Sequence, residues 1–267
     1  MKLSIVIPTI NIGFDFNDVL GEEDFLNKNI EVVIVKQDVR AERPISISER
    51  RRGRIIVKEI VVNKKGLSRA RNLGVEHSEG SVIVFLDDDV KPALGYFDSL
   101  AQHYIESDAD ITFGVIKYVD FESYNFCGEK IKYQFGKVIS VSMATGAGST
   151  ISVKRSSWDK HNLAFIEGIG AGTSVICGED SVFCLQAFQS DLRIYSTKST
   201  VIYHPVSGST MHVRNENYYV SLWFIYKEYY GVRGYFLGAR FAMKLLIKEL
   251  SVTEFFRFLM SYYAKPV

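Results

Sequence analysis

The sequence of 267 residues lacks the features that mark membrane-spanning, disulfide-stabilised and strongly nucleic-acid-binding proteins. No apolar run approaches the roughly 20 residues that a helix needs to cross a bilayer. The three cysteines, Cys127, Cys177 and Cys184, are an odd number without metal-like spacing, which predicts reduced thiols in a cytoplasmic protein. The net charge is only +1, so bulk charge does not favour nucleic acid as a partner.

Two further absences concern the N-terminal part of the chain. The opening MKLSIVIPTI lacks the long apolar stretch and small-residue cleavage site of a secretion signal, and we expect it to form a strand. The following turn, TINIGFDFND, lacks the GxGxxG fingerprint, which argues against a dinucleotide-dependent oxidoreductase.

Strand-like and helix-like segments alternate through the first half of the chain. The predicted strands are 3–7, 31–36, 54–62, 81–86 and 111–118, and the predicted helices are 67–77 and 92–107. The polar stretch 37–53, which holds three consecutive arginines, predicts a solvated loop. This alternation predicts an α/β fold with a mostly parallel sheet covered on both faces. A strand near 146–153, a helix at 180–189 and one or two strands at 192–203 follow.

The last 55 residues differ in composition from the rest. Residues 213–267 hold 15 of the 35 aromatic residues and a local charge of +4, whereas the remainder carries about −3. Helix-like segments cover 218–230, 234–250 and 252–263. Aromatic and cationic helices either lie in a membrane interface or pack against their own chain or a second copy, and the sequence leaves both open.

Three aspartates, Asp87, Asp88 and Asp89, directly follow the apolar strand SVIVFL. In open α/β sheets, ligands bind at the carboxyl ends of the strands. Adjacent carboxylates repel one another unless a cation or solvent compensates, and their oxygens suit Mg²⁺ or Mn²⁺, which in turn suit a diphosphate. Asp87 and Asp89 point the same way on an extended backbone, so we expect this pair to share one metal. A solvated acidic turn is the alternative.

The segment NKKGLSRARNLG, residues 63–74, predicts a glycine-containing turn followed by a helix. A helix start offers backbone N–H groups and the positive end of the helix dipole to an anion. Lys65, Arg69 and Arg71 add positive charge, and Ser68 and Asn72 add hydrogen-bonding side chains. The segment is therefore a candidate site for a nucleotide diphosphate, with an ordinary capped basic helix as the alternative.

Two later segments add candidate catalytic and metal-binding groups. Glu179 and Asp180 follow Gly178 at the start of an apolar helical segment, where acids are common first-turn residues or, alternatively, supply a general base. His204 ends an alternating strand and precedes a proline. Its imidazole is a candidate ligand for a divalent metal, or an ordinary loop histidine.

The order SIVIPT, NKKGLSRARN, FLDDD, GED and HP resembles the family 2 glycosyltransferases of the GT-A fold over residues 1–207. The resemblance implies a Rossmann-like nucleotide-binding sheet, an acceptor-side subdomain and a C-terminal helical segment. It divides the chain into a catalytic domain, 1–212, and the segment 213–267. The catalytic domain consists of a nucleotide-sugar-binding half, 1–115, and an acceptor-side half, 116–212.

The resemblance also implies a role for each matching residue. Pro8 and Thr9 lie where the family contacts the nucleobase and ribose, Asp180 matches the general base, and Glu179 would position that base or the acceptor. The other matching positions are Gly66, Arg71 and Asn72 on the uracil side, Asp87, Asp88 and Asp89 in the DxD segment with Asp89 as direct metal ligand, and His204 on the metal or pyrophosphate.

The chain departs from the family pattern at the end of its second strand. The family often has Asp-Asp-Gly-Ser there, whose first aspartate binds uracil, whereas this chain has Lys36, Gln37, Asp38 and Val39. Either Asp38 substitutes after a two-residue shift or Gln37 reads the base edge. Ile10 also stands where the family commonly has an aromatic residue.

The function implied is metal-dependent, inverting transfer of a sugar from a nucleotide-sugar, expected to be UDP-linked, with Mn²⁺ or Mg²⁺ as cofactor. The expected acceptor is a hydroxyl of a glycan or lipid-linked molecule in surface polysaccharide synthesis, at the cytoplasmic face of the membrane. A degenerate, non-catalytic relative would have lost the DDD or ED residues, and both are present. A sugar nucleotidyltransferase should carry a glycine- and arginine-rich loop where this chain has TINIGFDFND.

Overall fold

Eleven strands form one sheet in the part of the chain that the computed structural model describes, which is residues 1–21, 29–52, 55–120, 125–130, 136–137, 148–206, 216–247, 251–264 and 266. The strands are β1 (Leu3–Thr9), β2 (Ile30–Gln37), β3 (Ile45–Arg52), β4 (Ile55–Val62), β5 (Val82–Phe85), β6 (Lys91–Pro92), β7 (Ile111–Asp120), β8 (Asn125–Lys130), β9 (Gly136–Lys137), β10 (Ile151–Lys154) and β11 (Ile194–Pro205). The α-helices are α1 (Leu67–Glu76), α2 (Tyr96–Glu106), α3 (Arg155–Lys160), α4 (Glu179–Gln189), α5 (Glu216–Tyr230), α6 (Val232–Ile247) and α7 (Val252–Ser261).

The strand order is β3-β4-β2-β1-β5-β10-β7-β11-β6, with β8 paired to β7 and β9 to β11. Every residue of β1 and β2 is buried, as expected for the central strands of a sheet that is covered on both faces. The predicted strands and helices of residues 1–120 are all present, with ends displaced by a few residues. The α/β class predicted from the sequence is therefore confirmed.

The sheet is mixed, which corrects the prediction that it is mostly parallel. The pairs β4–β2, β2–β1, β1–β5 and β7–β11 are parallel. The short strand β10 lies antiparallel between β5 and β7, and β3 and β6 add antiparallel edges. The prediction extrapolated from the first half, where helices α1 and α2 separate strands. In the rest of the chain, not every pair of consecutive strands is separated by a helix. Only parallel neighbours need a helical crossover, so strands without one between them can pair antiparallel.

The segment 37–53 contains a strand, which corrects the prediction of a loop. Strand β3 pairs antiparallel with β4 along its whole length, from Ile45 opposite Val62 to Arg52 opposite Ile55. Every residue of β3 is exposed, because the strand lies at the edge of the sheet. Its polar composition resembled that of a loop, but charged side chains on an edge strand also prevent unwanted pairing with other chains.

Helices and loops cover both faces of this sheet. Helices α1 and α4 lie on one face, where Phe165 and Phe183 stack with their ring centroids 4.4 Å apart. Helix α2 covers the opposite face through Phe97 and Leu100. Cys177 is half-buried and Cys184 is buried, and the side chain of Cys127 lies outside the described residues.

The three C-terminal helices pack against one another around aromatic side chains. Trp223 of α5 stacks on Phe258 of α7 with ring centroids 4.7 Å apart, and its Nε1 donates to the Phe258 carbonyl at 2.8 Å. Helix α5 also packs against α4 and the segment before it, because Ile225 lies in one hydrophobic cluster with Ile169, Val175 and Val182. In the described part of the chain, we find no helix with the length and apolar character needed to cross a bilayer.

Candidate active site

A cavity of about 730 Å³ opens at the carboxyl ends of β1, β2 and β5 and at the start of α4. Side chains predicted from five separate motifs meet in its wall. The lining residues are Pro8, Thr9, Ile10, Gln37, Lys65, Leu67, Arg71, Asp87, Asp88, Asp89, Ile116, Tyr118, Gly148, Ser149, Ala171, Gly172, Cys177, Gly178, Glu179, Asp180, Ser181, His204, Tyr218 and Leu222. Its position matches the ligand-binding edge expected of an open α/β sheet.

The three consecutive aspartates face three different partners. The Asp87 carboxylate accepts from Arg71 at 3.1 Å, and Asp88 accepts a hydrogen bond from the Thr9 hydroxyl. The Asp89 carboxylate lies 3.9 Å from the Nε2 atom of His204. Burial raises the pKa of the Asp87 and Asp88 carboxyls. Asp87 and Asp89, which we expected to share a metal, are thus directed to an arginine and to a histidine respectively.

Arg71 is the centre of the charged groups, with 1% of its surface exposed. Its Nη1 lies 2.8 Å from Asp180 Oδ1 and 3.5 Å from Glu179 Oε1, and its Nη2 contacts Asp87. The guanidinium also lies 5.1 Å from the centre of the Phe165 ring. Burial disfavours the charged form of Arg71, but the carboxylates outweigh burial and raise its pKa. Arg71 therefore holds the acidic strand end and the start of α4 together.

Both oxygens of Asp180 are held in place. Oδ1 accepts from Arg71, and Oδ2 accepts from the backbone N–H of Gly148 at 2.7 Å. A Cβ atom at Gly148 would lie 2.2 Å from Arg71 Nη2 and 2.9 Å from Asp180 Oδ1, so the position has no room for a side chain. The glycine thus allows the backbone to approach and orient this carboxylate.

Glu179 lies beside Asp180 in the first turn of α4, with 11% of its side chain exposed. Burial raises its pKa to about 7, with a further contribution from the Asp180 charge, and Arg71 opposes the rise. The preceding Gly178 has a φ of 99°, and a Cβ there would lie 2.2 Å from Ile225 of α5. The contact between α5 and Gly178 therefore sets the position of the start of α4, which carries these two acids.

The structure shows how Gln37 and Asp38 are placed at the end of β2, where the chain departs from the family pattern. Gln37 lines the cavity, is 7% exposed and accepts a hydrogen bond at its Oε1 from the Gly66 N–H at 2.7 Å. Asp38 accepts instead from the backbone N–H of Arg40 at 3.0 Å, and it is absent from the cavity wall formed by the described residues. Of the two alternatives that the sequence left open, Gln37 has the better position to contact a bound base.

The start of α1 differs from the expected open anion site. Its first N–H groups are paired, since Gly66 donates to Gln37 and Leu67 donates to the Ala171 carbonyl at 2.9 Å. Asn72 binds both backbone groups of Phe165 at 2.8 Å. Lys65 and Arg71 line the cavity, whereas Gly66, Arg69 and Asn72 are absent from the lining found among the described residues.

Asp89 and His204 have the chemistry of a two-residue metal site. The Nδ1 atom of His204 lies 2.8 Å from the Pro205 carbonyl, which can only accept, so Nδ1 donates, and in the neutral imidazole the lone pair is on the Nε2 atom nearest Asp89. Among the described residues, no cluster of three or more His, Cys, Asp or Glu side chains is arranged around a common metal position. Mg²⁺-type ions commonly take one or two protein ligands together with substrate phosphates, so this pair fits such an ion.

The charge of the cavity supports the same conclusion. Five of the lining residues are carboxylic acids, whereas Lys65 and Arg71 supply the positive charge among the described lining residues. A diphosphate anion entering so acidic a cavity is repelled unless a cation accompanies it. The donor set and the charge balance are compatible with a divalent cation and an anionic ligand.

Several lining residues carry no sequence signal that would have identified them. Gly148 could be suspected only from the glycine-rich segment that contains it, and Tyr118 could not be distinguished from other strand residues. Tyr118 lies with its ring centroid 5.6 Å from that of His204. Tyr218 and Leu222 belong to α5, so the C-terminal helices supply part of the cavity wall.

The chain shows similarity to proteins of known family and structure. The family model described as Glycosyl transferase family 2 matches residues 4–143, just over half of the chain. The poly(ribitol-phosphate) beta-N-acetylglucosaminyltransferase TarS, from two strains of Staphylococcus aureus, is 29% identical over 94 residues. That match covers 33% of this chain and only 16% of TarS.

Crystal structures of S. aureus TarS resemble the structure over nearly its whole length. The structure of TarS 1–349 in complex with UDP-GlcNAc has a TM-score of 0.61 at 16% identity, and the match covers 98% of this chain and 79% of that one. For TarS 1–349 in complex with UDP the TM-score is 0.58 at 16% identity, with 98% and 81% covered. The structure of TarS itself gives 0.57 at 18% identity, with 98% and 43% covered. At this identity the likeness establishes the fold, which is GT-A as expected.

Proposed function

The chain belongs to glycosyl transferase family 2, and from this premise we propose that it transfers a sugar from a UDP-sugar to an acceptor hydroxyl with inversion at the anomeric carbon. The observation that carries this proposal is the convergence of Asp89, His204, Arg71 and Asp180 on one cavity at the carboxyl edge of the sheet. UDP-GlcNAc is the first donor to test, because structures of the related TarS include complexes with UDP and UDP-GlcNAc.

In the proposed reaction the donor diphosphate lies beside Asp89 and His204, which would hold Mn²⁺ or Mg²⁺. When bound, such an ion neutralises the negative charge that develops on the leaving diphosphate. Pro8, Thr9 and Gln37 line the part of the cavity that would receive the nucleoside. Lys65 would add positive charge toward the phosphates.

Asp180 acts as the general base in this proposal. It accepts the proton of the acceptor hydroxyl while that oxygen forms a bond to the anomeric carbon, and the bond from that carbon to the diphosphate breaks on the opposite side. Arg71 and the Gly148 N–H orient the carboxylate for this step. A single displacement requires one base and no enzyme nucleophile, which accounts for the inversion.

We propose an acceptor that is a glycan or lipid-linked molecule of surface polysaccharide synthesis. Tyr118, Tyr218 and Leu222 border the cavity and offer aromatic and aliphatic surfaces of the kind on which sugar rings pack. The poly(ribitol-phosphate) in the name of the related TarS makes a hydroxyl-rich polymer a reasonable first acceptor to test.

The donor site is tested by calorimetric titration of UDP with and without Mn²⁺. We expect metal-dependent binding in the wild type, its loss in Asp89→Ala, and its retention in Asp159→Ala, a control at an exposed acid on α3. Binding of UDP that is equally strong in Asp89→Ala would contradict the assignment of the metal site. The stereochemistry is tested by NMR of the product formed from UDP-GlcNAc, and retention of configuration would overturn the single-displacement mechanism.

A further inference from the structure

Helices α6 and α7 each carry a stripe of exposed apolar residues. On α6 the stripe consists of Val232, Phe236, Met243 and Ile247, and on α7 it consists of Val252, Phe256, Leu259 and Met260, with the exposed Tyr263 just beyond the end of the helix. The spacings of three, four and seven residues place each set on one face of its helix. We call these residues the outer stripe.

The outer stripe is distinct from the side chains that hold the helices together. Gly238, Ala242 and Leu245 of α6 and Phe258 of α7 are buried, and they already supply the inward contacts. By contrast, Phe236 is 73% exposed, Met260 69% and Phe256 58%. Helices that are apolar on both sides have a second face that is suited to an apolar partner.

Positive charge accompanies the outer stripe. Arg233, Arg240 and Lys244 are exposed on α6, and the sequence of that helix contains no acidic residue. On α7 the single acid, Glu254, is paired with Arg257 and also accepts from the Tyr219 hydroxyl. A partner for this surface therefore combines apolar groups with negative charge.

These properties favour a lipid surface over a second copy of the chain. A symmetric dimer through this face would place the arginines and Lys244 of α6 close to the same residues of the other copy, and like charges repel. The helices, of 16 and 10 residues, are too short to cross a bilayer. Helices with exposed aromatic and aliphatic residues beside arginine and lysine bind in the interfacial layer of anionic membranes.

We propose that the outer stripe of α6 and α7 binds the surface of an anionic lipid bilayer. Phe236, Phe256 and Met260 would insert among the upper acyl chains, and Arg240 and Lys244 would lie at the headgroups. Helix α5 connects this surface to the cavity, because Tyr218 and Leu222 line the cavity while Trp223 packs against α7. The inference does not depend on the chemistry proposed for the cavity.

The test is flotation of the full chain with lipid vesicles. We expect the wild type to float with vesicles that contain about one-third phosphatidylglycerol, and to bind vesicles of phosphatidylcholine alone about tenfold less. The variant Phe236→Gln/Phe256→Gln should bind the anionic vesicles about tenfold less than the wild type, because its aromatic rings no longer insert. Arg240→Gln/Lys244→Gln should lose the preference for anionic lipid.

A matched control removes two apolar side chains that are equally exposed elsewhere. Leu94→Gln/Ile105→Gln changes residues that are 83% and 67% exposed near α2, and it should float like the wild type. Thermal melting of each variant shows that the fold is intact. Failure of the folded wild type to float, or unchanged flotation of the Phe236→Gln/Phe256→Gln variant, would overturn the proposal. Light scattering that shows a dimer, lost in that variant and without flotation, would assign the surface to a second copy instead.

Discussion

Arg71 determines how the acidic residues of the site are used. A fully buried guanidinium needs compensating charge, and Asp87, Glu179 and Asp180 provide it. The pairing withdraws Asp87 from the expected metal pair and leaves Asp89 facing His204. Arg71 thus pairs with three of the five acids of the cavity, whereas Asp89 faces His204.

At this scale, we predict that Asp180→Asn abolishes transfer while preserving donor binding. An amide can still accept from Arg71 but cannot take the acceptor proton, so the turnover rate should fall by about 10²- to 10⁴-fold. The measurement is kcat with UDP-GlcNAc, together with calorimetry of UDP and Mn²⁺. Asp159→Asn, at an exposed position on α3, is the control and should retain activity. A loss of UDP affinity as large as the loss of kcat would show that Asp180 serves binding.

Glu179 leads to a prediction about pH and stability. Its pKa is about 7 in the folded protein against 4.5 when exposed, so the folded state binds its proton more tightly than the unfolded state. The stabilisation is full below pH 4.5 and is lost as the pH rises to 7, with an upper limit of about 3 kcal/mol.

The measurement is urea unfolding of the wild type and Glu179→Gln at pH 5 and pH 8. The difference in unfolding free energy between the two proteins should shift in favour of the variant at pH 8, because glutamine does not ionise. Groups that titrate in both proteins change both unfolding free energies equally, so their contribution cancels in the difference. A difference that is the same at both pH values would show that Glu179 does not titrate in this window.

At the scale of secondary-structure elements, α5 has two functions. One side lines the cavity through Tyr218 and Leu222, and Ile225 presses on Gly178 at the start of α4. Another part supports α6 and α7 through Trp223 and Tyr219. The segment predicted as a separate unit from residue 213 thus lines the cavity and packs against the start of α4, and its role as a domain stays a prediction.

We predict that Trp223→Ala loosens the C-terminal helices. It removes the stacking on Phe258 and the hydrogen bond to its carbonyl, and a large-to-small change in a core typically costs about 3–5 kcal/mol. Hydrogen exchange in α6 and α7 should accelerate, whereas exchange in β1 and β2 should change much less. Phe236→Ala, which truncates an exposed aromatic residue, should alter stability by less than about 0.5 kcal/mol. Uniform acceleration in all strands and helices would mean that the C-terminal helices unfold together with the sheet.

At the scale of the whole molecule, charge is divided between two regions. The cavity collects five carboxylic acids, whereas residues 213–267 carry a net charge of +4. The near-neutral total conceals this division. An acidic cavity suits a cation that accompanies a diphosphate, and the cationic C-terminal region suits an anionic surface.

We therefore predict that UDP and Mn²⁺ stabilise the whole protein together but not separately. At a ligand concentration about 100 times the dissociation constant, binding adds about 2.7 kcal/mol to the unfolding free energy. For a domain of this size that corresponds to a rise in Tm of roughly 5–10 °C. Thermal unfolding with UDP, Mn²⁺, both, and both plus EDTA provides the measurement. A full shift with UDP alone would show that Lys65 and Arg71 suffice to balance the diphosphate.

The sequence by itself determined the α/β class, the strands and helices of the first half apart from β3 and β6, and the order of the motifs that indicate a nucleotide-sugar site. These follow from apolar periodicity and from residue types close together in the chain, which local patterns record directly. The sheet-edge rule indicated a ligand site at Asp87–Asp89. The resemblance to the family 2 glycosyltransferases implied that Glu179, Asp180 and His204 belong to the same site.

Only the tertiary structure decided how those groups are paired and what surrounds them. Arg71 contacts Asp180, which is 109 positions away, and Gln37 rather than Asp38 lines the cavity. The antiparallel insertion of β10 and the contribution of α5 to the cavity wall likewise depend on distant segments. A buried charge finds its partners by three-dimensional proximity, and an edge strand with exposed polar residues has the composition of a loop. The spacing of neighbouring residues therefore reveals neither the partners of Arg71 nor the strand β3.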